Sequence, residues 1–239
     1  MKSRSLVVGT FLSLALSIPG WSSSGAATAP GQVITVDAAT ALSQTAILRT
    51  WRETSTGRYV QVFTALVAFV GVNGVRPTRE GLGRTPVGVF TLTEAFGNRP
   101  DNGTRLPYVH VGPDDWWDED PASAQYNRLV RRSISPGGNS ENLYYAGLAY
   151  AHAVVINYNM NPVVKGAGSG FFLHVSFGAP TEGCVAIPES ALNRVMRWLN
   201  PALHPVISIG VGQSALRVVE TKPTVPPALT ATDRVPSRS

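Results

Sequence analysis

The sequence reads as a mainly β protein, a sandwich or partly closed barrel with a helix packed on it. Three features predict this. Apolar runs are short and dominated by β-branched and aromatic residues, as in Arg58 to Val70 and Ala151 to Asn159. Glycine (23) and proline (18) break these runs throughout the 239 residues. Only one stretch, after Pro188, repeats apolar residues at helical spacing, with Leu192, Val195, Met196 and Leu199 on one face.

Taken in order, residues 1–29 have the layout of a secretory signal peptide. Lys2 and Arg4 precede an apolar stretch, Leu6 to Ile18, and a small-residue segment, Ser22 to Ala29, closes it. The apolar stretch falls short of the roughly 20 residues of a membrane span, so no span is expected in the mature form. A folded domain is expected over residues 30–212. Gln32 to Val36 reads as its first strand, Asp37 to Ser43 as a short Ala-rich helical piece, and Thr45 to Glu53 as a second strand. Ser55-Thr56-Gly57 turns the chain into a long strand, Arg58 to Val70, which Gly71 to Gly74 ends. Thr78 to Thr91 is a Gly/Pro loop that leads into a short strand, Val89 to Thr93. Pro107 to Val111 is a strand, and Asp114 to Asp120 is an acidic loop whose two tryptophans anchor on the core or line a groove. Calcium fits that run poorly, because the regular alternation and turn glycine of a calcium loop are missing. Ala151 to Asn159 is a strong strand. Gly166 to Gly170 connects onward, and a strand follows it where a phosphate-binding loop would need a helix. Val206 to Ile209 is the last strand. Residues 213–239, rich in Pro and Thr from Thr221 on, form a disordered tail.

The chemistry concentrates between Phe171 and Cys184, F-F-L-H-V-S-F-G-A-P-T-E-G-C. Phe171-Phe172-Leu173 is a strand interior that delivers His174. Gly178-Ala179-Pro180 turns the chain, and Cys184 opens a second apolar run, Val185-Ala186-Ile187. This holds a thiol and an imidazole near one another, the arrangement of a nucleophile and its base. A lone cysteine also fits a buried small hydrophobe. Compartment weighs between the two: exported proteins use cysteines in pairs, and a single one points to a free reactive thiol.

Charge excludes some partners. The formal net charge is +5, but the leader contributes +2 through Lys2 and Arg4, and the tail another +2 through Arg217, Lys222, Arg234 and Arg238 against Glu220 and Asp233. No basic run interleaved with aromatics marks a nucleic-acid surface. His110, His152 and His204 show no ligand spacing with Cys184, which argues against zinc, and no metal site is expected.

The motif from His174 to Cys184, together with Gly83-Arg84-Thr85-Pro86-Val87-Gly88-Val89-Phe90, resembles the YkuD-type L,D-transpeptidase catalytic domain, in secreted bacterial enzymes that cross-link peptidoglycan. The likeness spans Ala46 to Gly210. Thr181-Glu182-Gly183-Cys184 matches the family's Ser/Thr-x-Gly-Cys motif. Three departures stand out: Glu182 replaces a second histidine, Ala186 replaces a polar residue, and the histidine-to-cysteine spacing is shorter than in many members. The resemblance implies a cysteine acyl-enzyme, with Cys184 as nucleophile, His174 as base and the backbone N–H groups of Gly183 and Cys184 holding the oxyanion. It implies substrate contacts at Thr181 and Arg84, no cofactor, peptidoglycan stem peptides as partners and sensitivity to carbapenem-type inhibitors. L,D-carboxypeptidase activity, another wall-directed cysteine peptidase or a non-catalytic wall-binding module are the alternatives.

Overall fold

Eleven strands form one curled sheet, a half-barrel, and three more form a small sheet beside it. The structure, a computed structural model, describes residues 29–220. In chain order the strands are β1 (Gln32–Ala38), β2 (Thr45–Glu53), β3 (Tyr59–Gln61), β4 (Leu66–Phe69), β5 (Gly88–Thr91), β6 (Ala95–Gly97) and β7 (Tyr108–His110). Then come β8 (Asp115–Asp118), β9 (Arg128–Arg131), β10 (Glu141–Asn142), β11 (Ala153–Val155), β12 (Phe172–Val175), β13 (Val185–Ile187), the helix α1 (Glu189–Trp198) and β14 (Val206–Val211). The large sheet runs β5-β14-β1-β2-β4-β13-β12-β11-β6-β7 with β3 paired to β2, and the small one runs β10-β8-β9.

Burial follows position in the sheet. β1 lies between β14, parallel, and β2, antiparallel, and is buried along nearly its whole length. β2 alternates, with Ala46, Leu48 and Thr50 turned inward. On α1, Leu192, Val195 and Met196 are buried in the core together with Leu199 just beyond it, as the spacing predicts.

Five expectations need correction. Asp37 to Ser43 is not helical: β1 runs to Ala38, and Thr40 and Ser43 then close a turn through their hydroxyls and the Thr40 N–H. Short polar side chains compete there with a helix too brief to repay its nucleation. The long strand Arg58 to Val70 is two, β3 and β4, because two extra residues bulge between the Trp51–Gln61 and Leu48–Leu66 pairs, where Thr50 binds the N–H groups of Val62 and Phe63. Ala151 to Asn159 shrinks to β11, since its neighbours β6 and β12 are themselves only three and four residues long. The acidic run is a strand, β8. Arg131 on β9 holds Asp115 by two bonds of 2.8 and 2.9 Å, Asp118 accepts from Ser123 at 2.6 Å, and Trp117 is fully buried. Finally, the folded part continues past residue 212. Ser214–Val218 forms a 3₁₀ turn that buries Ala215, and Gln213 N–H binds Asp37. The expected leader, save residue 29, and the tail from residue 221 lie outside the described residues. No helix among the described residues is long and apolar enough to cross a membrane.

Candidate active site

β12 alternates its side chains between two faces. Leu173 and Val175 enter the main core, while Phe172 joins a second cluster with Phe96, Trp117 and Tyr150. His174 shares the face of Phe172, and the Tyr150 ring packs edge-on against it at 5.5 Å. β13 runs parallel to β12 with Leu173 opposite Val185 and His174 opposite Ala186. Cys184, two residues before Ala186, therefore lies on the same face as His174. Both line a cavity of about 800 Å³.

The loop before Cys184 is tied internally. Thr181 Oγ1 donates to the Cys184 carbonyl at 2.6 Å and accepts from Gly183 N–H at 3.1 Å. Gly183 has φ +144, and a Cβ there would meet the Phe171 ring at 2.7 Å and the Arg84 carbonyl at 3.0 Å, so glycine is required. Thr85, fully buried, pins this loop: its hydroxyl donates to the Gly183 carbonyl and accepts from Gly71 N–H, both at 2.8 Å.

Burial works against charge on either member of the pair. The Cys184 thiol donates to the Gly170 carbonyl and accepts from Phe172 N–H, each at 3.3 Å; among the described residues no hydrogen bond joins it to His174. Burial pushes the thiol pKa well up, and the carboxylates of Glu141 and Glu119 push it further, against the Phe172 N–H. His174 is pushed down by burial, partly offset by the Val175 carbonyl. That carbonyl, 2.9 Å from Nδ1, can only accept, so Nδ1 carries the proton and Nε2 keeps a basic lone pair. Such a pair suits proton transfer during attack rather than a standing thiolate–imidazolium.

The sequence-derived residues divide. Cys184, His174, Gly183 and Thr181 meet at the cavity. Arg84 does not line it: its guanidinium turns back to the Pro77 carbonyl at 3.3 Å. The Gly183 N–H is occupied by Thr181, whereas the Cys184 N–H has no acceptor among the described residues, so the oxyanion donor is better sought at Cys184. Ala186 lies beside His174 in register, which makes the family's polar position an apolar wall here. Exposed Glu182 stands at the rim.

Three wall residues escaped the sequence reading: Glu119, Glu141 and Tyr150. Tyr150 closes the 3₁₀ turn Gly147–Tyr150 and donates to Glu141 at 2.6 Å. Only the acidic run with its tryptophans hinted at them. The small sheet carries β10 with Glu141, and Glu119 follows β8, so this sheet forms one side of the cavity.

No curated protein matches the chain. A family model describing the L,D-transpeptidase catalytic domain, YkuD, matches residues 31–209 and so takes in the sheet from β1 almost to the end of β14, with both active-site strands inside it. By that match, over most of its length, the chain belongs to the L,D-transpeptidase catalytic domain family.

Proposed function

We propose that the protein is an exported peptidoglycan L,D-transpeptidase that joins stem peptides in the bacterial envelope. The observation that carries this reading is the meeting of the chain's sole cysteine and a buried, tautomer-fixed histidine at one open cavity. Cys184 Sγ attacks the carbonyl at the L-centre of a diamino acid in the donor stem while His174 Nε2 takes the thiol proton. The C–N bond to the terminal D-alanine then breaks, His174 returns the proton to the departing amine, and a thioester remains. The amine of a second stem attacks the thioester, forms the cross-link and releases the thiol. Water in place of the amine gives carboxypeptidase activity from the same acyl-enzyme. Cys184 N–H, without an acceptor among the described residues, is the donor this reading assigns to the oxyanion; one such bond is worth about 3 kcal/mol.

Incubation with a disaccharide-tetrapeptide, followed by mass spectrometry, tests this directly. Cross-linked dimer and free D-alanine are expected, and a carbapenem should add covalently to the wild type but not to Cys184→Ala. An adduct on the alanine variant, or no turnover of the tetrapeptide, would overturn the reading.

A further inference from the structure

Four carboxylates line the cavity that holds Cys184: Glu80, Glu119, Glu141 and Glu182. Their hydrogen bonds separate them. Glu80 accepts from the hydroxyls of Tyr126 and, at 2.8 Å, Ser169. Glu141 accepts from Tyr150, and Glu182 is exposed at the rim. Glu119 lies half-buried in the wall, and among the described residues no donor reaches its carboxylate and no cation pairs with it. It packs against Gly170, where any side chain would collide with Oε1. Gly170 is also the residue whose carbonyl accepts from the Cys184 thiol. An unpaired carboxylate thus stands across a single residue's backbone from the nucleophile.

We propose that Glu119 receives the acceptor amine, holding it as an ammonium beside the acyl-enzyme and taking one of its protons as the nitrogen attacks. This rests on the reading that Cys184 forms an acyl-enzyme. A partly desolvated carboxylate with no donor of its own favours a ligand that brings a cation and hydrogen bonds. Burial, with the charges of Glu141, Glu80 and Asp118, raises its pKa to about 8; the bound ammonium favours the ionised form, and above that pH Glu119 is a carboxylate basic enough to take a proton from it. In the step, one proton passes from nitrogen to Glu119, the C–N bond forms, and the C–S bond breaks with its electrons on sulfur. The second proton passes through His174 to the thiolate, so amide, thiol and protonated Glu119 are the products. The ammonium also offsets one of the negative charges that make Cys184 a reluctant leaving group. The charge of Glu119 draws an ammonium but not neutral water, so it biases the acyl-enzyme toward the amine.

The test is the ratio of cross-linked dimer to hydrolysed tripeptide from a disaccharide-tetrapeptide, in wild type and Glu119→Gln. The ratio is taken within one sample, so a partly unfolded variant does not distort it. At a pH above about 8, a fall in this ratio on the order of 10-fold is expected as the charge that holds the ammonium disappears, with carbapenem acylation of Cys184 retained. An unchanged ratio, or equal loss of both products, would overturn the proposal while leaving the enzymatic reading in place. Failure of the wild type to form any acyl-enzyme would overturn that reading instead, and this one with it.

Discussion

At the residue scale, the site is set by what surrounds two side chains rather than by the chains alone. Burial disfavours the charged form of His174 and the Val175 carbonyl orients its ring, which suits it to proton transfer during attack. His174→Ala is expected to slow acylation of Cys184 by a carbapenem on the order of 100-fold or more. Glu182→Ala should keep most of that rate, because an exposed charge at the rim is screened by solvent. Stopped-flow acylation rates for both variants check this, and a glutamate variant as slow as the histidine variant would place Glu182 in the catalytic group. That Cys184 and His174 come together was legible from the sequence, because they sit on two short apolar runs joined by the turn Gly178-Ala179-Pro180. That Arg84 turns away from the cavity was not legible, since nothing in a Gly-Arg-Thr-Pro string says which way a guanidinium folds.

At the scale of elements, the parallel pair β12 and β13 places thiol and imidazole on one face, and Thr85 locks the loop between them to the end of β4. Thr85→Val keeps the volume and removes both hydrogen bonds, leaving Gly71 N–H and the Gly183 carbonyl buried without partners. The expected loss is about 1–3 kcal/mol for each group left unpaired, read as a lower melting temperature, together with slower acylation as the Cys184 loop loosens. A variant as stable as the wild type would show that water satisfies these groups. Strands β2 and β13 and the face of α1 were readable because their patterns are local. The division of β3 from β4 and the shortening of β11 were not, because each depends on where a neighbouring strand ends or bulges.

At the scale of the whole molecule, the cavity loads the fold with buried ionisable groups of opposing sign. Glu119 rises from an ordinary 4.5 to about 8 in the folded protein, and Glu141 rises too. A raised folded pKa contributes stability that is fully present below the unfolded value and lost as pH rises through the folded one. His174, lowered from 6.5, acts the other way: its contribution is present above that value and lost as pH falls below it. Removing only the first effect, Glu119→Gln should gain melting temperature relative to the wild type as pH rises from 4.5 to about 8. Parallel melting curves across that window would contradict it. The sequence by itself determined the fold class, the helix and the nearness of Cys184 to His174, because alternation, helical spacing and the tight turn between two short apolar runs are written in neighbouring residues. Only the tertiary structure decided what the acidic run does. In isolation seven residues with five acids read as a solvated loop, but Arg131 on the adjacent strand neutralises Asp115, and the core cluster around Phe172 takes Trp117. That pairing turns the run into β8 and leaves Glu119, just beyond it, in the wall beside Cys184, where its charge depends on neighbours drawn from residues 80, 118 and 141.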